Sequence, residues 1–504
     1  MQILSHLGDG FATTLQPENL LFALIGVFLG TLVGVLPGIG PTAAIALLIP
    51  VSAGMDPVTS IIMLAGIYYG SMYGSSTTAI LINTPGEAAS VVTALDGYQL
   101  ARQGRAGPAL AIAAIGSFVA GTFSILGLVV LAPPLATFAL RFGPPEYFSL
   151  MLLGLTLVIS LAGKSLVKGL LAGTFGLLVS MIGLDPIYGS ARFTFGTLEL
   201  MGGINFISVV VGLFAISEVL QGVEEKSSSY VMGKLKGIWP SREDFKNSYG
   251  AMLRGSALGF FLGILPGSGS AVTSFLSYDL EKKVSRHPEK FGTGVIEGVA
   301  GPEAANNAAT GGGMVPLLTL GIPPSAPLAV LLGALMIHNV RPGPLLFSEH
   351  PDFVWPLIAS LYIGNAMLLV LNLPLVGLWA KLAQIPFPIL GPIVLVLSFI
   401  GTYSVRNNLF DVWIAIFFGV LGYLMRKAAI PAVPVVLAVI LGPMLEAALR
   451  QSLTISRGSL EIFVTRPVSL ILLFAAAGSV CLSAYGRIRE GRIVTSGVLG
   501  TEEV

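Results

Sequence analysis

Long stretches without Asp, Glu, Lys or Arg alternate with short charged segments along this chain. Many of the stretches approach or exceed the roughly 20 apolar residues that a helix needs to cross a bilayer. Their lengths suit helices rather than the roughly ten-residue alternating strands of an outer-membrane barrel. The pattern therefore predicts an all-α integral membrane protein, embedded in a lipid bilayer, with about 12 membrane segments. The uncharged stretches are 19–55, 57–86, 106–140, 147–163, 169–184, 200–217, 255–278, 304–340, 353–380, 382–405, 412–425, 428–445 and 467–486.

The composition supports the membrane assignment and argues against a nucleic-acid partner, a disulfide and a thiolate metal site. Only 11% of the 504 residues are charged and 54% are hydrophobic, whereas soluble domains carry about 25% charged residues. The net charge of +1 and the lack of a long basic cluster give no indication of a nucleic-acid partner. A single cysteine, Cys481, excludes an internal disulfide and a thiolate metal cage.

One motif occurs twice, as residues 30–40 and 259–269, and both copies read Gly-x-x-x-Gly-x-Leu-Pro-Gly-x-Gly. Pro and Gly inside a membrane segment free backbone groups that lipid cannot satisfy, so such a break must be packed in protein or line a wet cavity. Paired broken segments in two halves of a membrane protein indicate the binding site of a transporter. For Gly30, Gly34, Gly259 and Gly263 we expect helix packing rather than ligand binding.

A second break follows each copy, at Asn83-Thr84-Pro85-Gly86 and at Gly321-Ile322-Pro323-Pro324. A run of small and polar residues precedes each second break, 69–78 in the first half and 303–313 in the second. Each half thus repeats the order of Pro-Gly break, small polar run and second Pro break. We interpret this order as an internal repeat.

The basic residues predict how the halves are oriented. The polar insert 221–250 carries five Lys or Arg residues, which favours the cytoplasm, and Ser241 to Asp244 have the pattern of a helix N-cap. Basic residues flank 255–278 on both sides, which suits a re-entrant hairpin broken at its Pro-Gly step, whereas acidic residues flank 19–55. The two halves are therefore predicted to be inverted repeats. A full-span helix with a proline kink is the alternative.

These features divide the chain into five predicted parts. They are a first transmembrane half (1–220), a polar cytoplasmic linker (221–250), the second-half core with the second motif copy (251–350), the remaining spans as a scaffold (351–490) and a C-terminal tail (491–504).

The motifs together resemble the large membrane subunit of the tripartite tricarboxylate transporter family, the TctA type. The resemblance implies a multi-pass subunit of the bacterial inner membrane that works with a small membrane subunit and a periplasmic solute-binding protein. It further implies import of tricarboxylates such as citrate, or related carboxylates, driven by a sodium or proton gradient. The residues that carry the resemblance are 34–40, 69–74, 82–86, 96–98, 263–269, 302–307 and 321–324.

A carrier of carboxylates must coordinate negative charge, and the N-terminus of a half-helix does this with free backbone N–H groups and its dipole. The residues that follow each break are therefore the predicted substrate site, with glycines for close backbone approach and hydroxyls as donors. The predicted substrate-binding residues are Pro37, Gly38, Gly40, Thr42, Asn83, Thr84, Pro85, Gly86, Gly267, Ser268, Gly269, Ser270, Thr273, Pro323 and Ser325.

Coupling cations need oxygen ligands, which amides, hydroxyls and unwound backbone supply in transporters. Glu303 is a proton or cation site if it lies in the membrane, and an interfacial residue otherwise; Glu87 presents the same choice. We expect Asp96, Arg102 and Arg105 in a loop. The predicted cation-coupling residues are Asn83, Glu303, Asn306, Asn307 and Thr310.

Other function classes find less support in the sequence. A serine hydrolase at Ser268 would need a nearby base, and none of the four histidines has motif support. Metalloprotease and ATP-binding loop motifs are absent from the sequence, so we predict no enzyme and no cofactor beyond a transported sodium ion or proton. An ion or anion channel built on broken helices is the alternative to a transporter.

Overall fold

A computed structural model of the protein describes residues 2–36, 40–161, 165–185, 188–224, 237–382 and 385–499, with side chains described as far as residue 485. Nearly all regular structure within these ranges is helical. The two short strands, β1 (Gly183–Leu184) and β2 (Ala191–Arg192), pair in antiparallel orientation. The helices are α1 Gln2–Thr14, α2 Pro17–Val35, α3 Pro41–Ser52, α4 Pro57–Ile82, α5 Val91–Arg102, α6 Ala106–Ala139, α7 Pro144–Leu161, α8 Leu166–Ser180, α9 Phe206–Val210, α10 Ser217–Glu224, α11 Arg242–Gly263, α12 Gly269–Val284, α13 Glu297–Leu320, α14 Ala326–Ile337, α15 Leu346–Glu349, α16 Pro351–Asn372, α17 Val376–Leu382, α18 Phe387–Arg406, α19 Leu409–Lys427, α20 Val433–Ile455, α21 Ile462–Thr465 and α22 Pro467–Leu499.

Within the described residues, nine helices are long and apolar enough to cross a membrane. One of them combines α9 and α10 through a π-helical turn, Val211–Ile216. The shorter apolar helices α3, α8 and α14 add to this set. The prediction of an all-α, multi-pass membrane protein is confirmed. The count of about 12 segments, the inverted orientation of the halves and the re-entrant geometry stay predictions.

The two motif copies occupy equivalent places in the helix order. In the first half, α2 ends at the first break, the short α3 follows, and the long α4 ends at the second break; α11, α12 and α13 repeat this order. Both α4 and α13 are buried along nearly their whole length. This equivalent order of helices supports the repeat expected from the sequence, which stays a prediction.

The glycine stripes of the motif bring helix backbones into contact. A Cβ atom at Gly30 would lie 2.4 Å from the carbonyl oxygen of Ile67 in α4. In the second half, a Cβ at Gly259 would lie 2.2 Å from the carbonyl oxygen of Ala305 in α13. Gly34 and Gly263 approach the same two helices equally closely. The packing role expected for these four glycines is confirmed, because no larger side chain fits between the backbones.

The chain forms two compact units. The first comprises residues 1–140 and 205–423 and contains both motif copies; the second comprises residues 141–204 and 424–504. In the second unit, Arg450 pairs with Asp185 at 2.8 Å and with Glu446 at 2.6 Å, and Arg192 contacts the same two carboxylates. This network fixes the β-hairpin to α20. The division of the chain proposed from the sequence stays a prediction.

The N-terminus of α11 confirms the cap predicted in the polar insert. The Ser241 hydroxyl accepts from the backbone N–H of Asp244, and the Asp244 carboxylate accepts from the N–H of Ser241. Arg105, just before α6, also pairs with Asp244 at 2.5 Å. Burial alone would raise the pKa of Asp244, but these hydrogen bonds and the guanidinium lower it below its ordinary value. The cap thus joins the starts of α6 and α11.

Candidate functional site at the junction of the broken helices

The second break of each half ends its helix in the same way. Asn83 (φ 54°) and Gly321 (φ 70°) both adopt the left-handed conformation that terminates helices. The next residue then donates to a carbonyl six positions back, Thr84 to Thr78 at 3.3 Å and Ile322 to Pro316 at 3.2 Å. The matching ends explain the shared Pro-containing sequence that follows, because the chain must leave the helix axis there.

The breaks of the two halves meet in the first unit. The backbone N–H of Gly267 donates to the carbonyl of Pro324 at 3.0 Å, which joins the two breaks of the second half. The Ser270 hydroxyl donates to Glu87 Oε1 at 3.2 Å, which joins the halves to each other. A Cβ at Gly86 would lie 2.0 Å from the carbonyl oxygen of Gly34. The broken segments therefore form one junction.

Two short helices, α12 and α14, begin at this junction, and a third, α3, begins after the first break of the first half. None of their N-cap positions, Gly40, Ser268 and Ser325, makes a side-chain capping hydrogen bond. The Ser325 hydroxyl oxygen is buried, and the Tyr68 side chain lies next to it. Uncapped helix starts carry free N–H groups and a partial positive charge, which suits the binding of an anion.

The predicted substrate residues of the first half lie around these helix starts. Pro37 and Gly38 fall outside the described residues. Gly40 is the N-cap of α3, and Thr42 is buried in its first turn. Asn83 is exposed at the end of α4. The segment that follows is half-buried and consists of Thr84, Pro85 and Gly86.

The predicted substrate residues of the second half make more hydrogen bonds within the protein than those of the first half. The Ser268 hydroxyl donates to the carbonyl oxygens of Leu262 and Leu265, and Thr273 is buried and donates to the Ser270 carbonyl at 2.8 Å. Gly267 and Gly269 have positive φ angles of 83° and 49°. Pro323 is buried, whereas Ser270 and Ser325 are half-buried. The roles of all these residues as ligands stay predictions.

Glu303 lies beside the junction at the centre of a buried polar cluster. It is fully buried within α13, and its two carboxylate oxygens accept from Ser76 of α4 and Thr93 of α5, each at 2.5 Å. No Lys, Arg or His nitrogen of the described residues lies within 4.0 Å of it. A carboxylate buried with hydroxyl partners alone is costly to ionise, so a proton or cation stabilises it.

The other predicted cation residues extend this cluster along α13. The Asn306 amide nitrogen and oxygen are buried without partners among the described residues, as is the Asn307 amide oxygen. Asn307 Nδ2 donates to Ser117 of α6 at 2.7 Å, and Thr310 donates to the Asn306 carbonyl at 3.0 Å. Helical spacing places these side chains on the face of Glu303. Asn83, at the exposed end of α4, lies about two turns beyond Ser76.

Ser76, Thr93 and Asp96 are site residues that the sequence analysis missed. The expectation that Asp96 lies in a loop is wrong: it is fully buried in α5, one turn after Thr93. Its carboxylate accepts from Tyr278 at 2.8 Å and from three backbone N–H groups in the loop before α13 (Gly292, Gly294, Val295) at 2.8 to 3.0 Å. In the sequence, only the place of Asp96 in the 96–98 motif indicated that this residue has a role.

Asp96→Asn is expected to weaken the attachment of α13 to α5. An amide cannot accept from four donors as a carboxylate does, and losing hydrogen bonds to a charged group costs about 2–3 kcal/mol. The thermal unfolding midpoint in detergent should fall, and uptake should fall with it because Thr93 shares the helix. Asp279→Asn, at an exposed carboxylate of α12, is the control. An unchanged midpoint would contradict this positioning role.

Two other features do not support a carboxylate site. A cavity of about 330 Å³ between α2, α3 and α18 is lined almost entirely by apolar side chains. His338 Nε2 lies 2.8 Å from Ser60 Oγ, but Ser60 is fully buried, which keeps a substrate from its hydroxyl. Among the described residues no group of three His, Cys, Asp or Glu side chains is arranged to hold a metal ion.

Comparison with known proteins identifies relatives of this chain and its family. The chain is 50% identical over 493 residues to an uncharacterized 52.8 kDa protein in the TAR-I ttuC' 3'region of Agrobacterium vitis, covering 98% of each. It is 45% identical over 234 residues to an uncharacterized protein in the TAR-II ttuC' 3'region of the same organism, which covers 46% of this chain and 97% of that protein. No solved structure matches the chain. The family model of the tripartite tricarboxylate transporter TctA family matches residues 20–437, and the chain therefore belongs to that family.

Proposed function

We propose that this chain is the large membrane subunit of a secondary importer of tricarboxylates such as citrate, or of related carboxylates. It would act in a bacterial inner membrane with a small membrane subunit and a periplasmic solute-binding protein. A sodium or proton gradient would drive uptake. Membership of the TctA family supports the general class, and the arrangement of the broken helices supports the chemistry.

The main observation behind the proposal is that α12 and α14 begin at the junction, and α3 after the first break of the first half, all without side-chain caps. A di- or tricarboxylate has several negative groups at fixed separations, and several helix starts offer several sets of free N–H donors. Fixed arginines would bind such an anion more tightly but are expensive in a membrane and slow its release. Backbone donors at helix starts suit a carrier, which must bind and release its substrate.

Glu87 supports coupling to a cation. Its Oε1 faces Ser270 in the first turn of α12, and its Oε2 is buried without a partner among the described residues. A substrate carboxylate at the same helix start would be repelled by an ionised Glu87. A proton or cation that neutralises this group removes the repulsion, so each ligand favours the binding of the other.

Neutralisation by a cation is also expected to matter at Glu303, in α13. Residues 88–90, which directly follow Glu87, pack against α13, the helix that carries Glu303. One bound cation near Glu303 therefore lowers the cost of placing negative charge at the junction. We assign the coupling centre to Glu303 with Asn306, Asn307 and Thr310, and the substrate site to the helix starts around it.

The test is labelled-citrate uptake in proteoliposomes that hold this chain and its small partner subunit, with the binding protein outside. Concentrative uptake that needs the binding protein and an inward sodium or proton gradient is expected. If citrate does not accumulate, the ligand that the cognate binding protein carries replaces it. Downhill flux without accumulation of that ligand would overturn the proposal in favour of a channel.

Substitutions of Asn83 test whether this residue binds a transported ligand or only terminates α4. Asn83→Gly keeps the left-handed conformation without strain, whereas Asn83→Ala adds about 1 kcal/mol of backbone strain. Both variants are expected to insert normally and to lose about tenfold or more in uptake, as a lost ligand contact predicts. Membrane abundance and citrate uptake are the measurements. Normal uptake by Asn83→Gly would limit Asn83 to ending α4.

A further inference from the structure

A small polar cavity lies directly behind Glu303, between α4, α6 and the end of α16. Its volume is about 10 Å³, which is the space that one water molecule or one dehydrated ion of similar size needs. Its polar lining consists of Tyr73, Ser76, Thr77, Ser117 and Asn372. None of these five residues belongs to the substrate or cation residues predicted from sequence.

Asn372 gives the cavity an unsatisfied ligand atom. The residue is 6% exposed, and its Oδ1 is buried without a hydrogen-bond partner among the described residues. Its Nδ2 donates to the Leu368 carbonyl at 2.9 Å, and because only the nitrogen can donate there, the oxygen side of the amide is fixed. A buried carbonyl oxygen without a partner is costly, so this geometry calls for a bound donor or cation.

The neighbouring hydroxyls present lone pairs rather than hydrogens. The Tyr73 hydroxyl donates to Asn365 Oδ1 at 2.5 Å, and Ser76 donates to Glu303 Oε2. As long as Glu303 is ionised, Ser76 must keep its hydrogen on that carboxylate. Ser117 accepts from Asn307 Nδ2 at 2.7 Å and is the one of these three hydroxyls whose hydrogen is not committed to a carboxylate or amide oxygen. Together with Asn372 Oδ1, the hydroxyl oxygens of Tyr73 and Ser76 therefore offer acceptors to the cavity, while the hydroxyls of Ser117 and Thr77 are able to turn their lone pairs toward it.

Such a lining favours a hard monovalent cation over an anion or an apolar group. Hard cations take oxygen ligands, and the oxygen atoms of amides and hydroxyls are ligands of this kind. The charge of Glu303, one hydrogen bond away through Ser76, offsets the charge of the ion in a medium where isolated charges are costly.

We propose that this cavity binds one dehydrated sodium ion, held by Asn372 Oδ1 and the hydroxyl oxygens of Tyr73, Ser76 and Ser117. The proposal rests on the proposed function, since it adds a sodium site next to the coupling centre at Glu303, joined to it through Ser76. Sodium binding here keeps Glu303 ionised and hydrogen-bonded to Ser76, which links occupancy of the cavity to the charge beside the substrate junction.

The test measures binding of radioactive sodium to the purified full chain, in the absence of substrate and of the other subunits. Saturable binding that potassium and choline do not displace is expected. Asn372→Leu, which keeps the size but removes the ligand oxygen, should lower sodium affinity at least tenfold, as the loss of one contact to a charge predicts. Asn19→Leu is the matched control, because Asn19 is buried to a similar degree (5% exposed) and does not line the cavity.

Ser117→Ala should also lower the affinity and serves as the test if Asn372→Leu does not fold. No saturable sodium binding to the wild-type chain, or an unchanged affinity in both variants, would overturn the proposal and leave the cavity to a water molecule. Citrate accumulation without sodium binding would refute this site but not the importer. Sodium binding without transport of the cognate ligand would refute the importer but not the site.

Discussion

Glu303→Gln is expected to lose most of its cation-driven accumulation while the protein stays folded and inserted. Glutamine has nearly the same size and can still accept from Ser76 or Thr93, but it cannot carry a negative charge or bind a proton. Loss of a charged partner is worth about 1.5–3 kcal/mol, or roughly 10- to 100-fold in uptake. The measurement is concentrative citrate uptake by proteoliposomes that contain all three components.

The matched control is Glu297→Gln, in the first turn of the same helix, where the side chain is partly exposed. This control should transport like the wild type. Exchange of labelled for unlabelled citrate at equal cation concentrations should persist in Glu303→Gln, because exchange does not need net cation movement. Wild-type accumulation by Glu303→Gln would remove Glu303 from the coupling centre and reduce it to a buried hydrogen-bond acceptor.

Gly259→Ala is expected to destabilise the first unit, and Gly259→Leu to prevent its folding. The added Cβ would lie 2.2 Å from the Ala305 carbonyl oxygen, which is backbone and cannot turn aside. The two helices must separate, and overpacking of this kind costs about 1–3 kcal/mol for a single methyl group. The thermal unfolding midpoint in detergent and the abundance in the membrane are the measurements.

The first copy of the motif allows the same test in α2. Gly30→Ala, with its Cβ 2.4 Å from the Ile67 carbonyl oxygen, should lower the unfolding midpoint comparably. Gly8→Ala is the control, since no atom lies within 4 Å of a Cβ at Gly8 in α1. If Gly30→Ala and Gly259→Ala unfold at the wild-type temperature, the helices can separate freely and the glycine stripes are not required for packing.

Local patterns account for the features that the sequence predicted well. Each of these features depends on a few adjacent residues or on one face of a helix. They are the cap at Ser241, the helix ends at Asn83 and Gly321, and the close contacts of Gly30 and Gly259. Such patterns can be seen in a single segment because caps, turns and helix periodicity act over one or two turns. The only sign in the sequence that the broken segments meet was their repetition in the two halves.

The partners of the buried charges could not be predicted from the same patterns. Glu303 accepts hydrogen bonds from Ser76 and Thr93, which lie 227 and 210 residues away in the chain. Neither residue stands out in the sequence, since Ser76 is one of several small polar residues in its run and Thr93 belongs to none of the motifs. Asp96 was expected in a loop because a charge in a sequence usually marks solvent. Its burial depends on backbone N–H groups of a loop 196 to 199 residues away, which no local pattern encodes.

The sequence by itself determined that the chain crosses the membrane as helices, where those helices break and that the breaks occur in two matching sets. It could do so because lipid leaves the backbone no partners outside its own helix, so composition and Pro-Gly breaks translate directly into structure. The tertiary structure decided which breaks touch, that Glu87 faces Ser270, and that Asn372 closes a cavity behind Glu303. These contacts depend on how separate helices pack, and packing is settled by the combined shape of residues far apart in the chain.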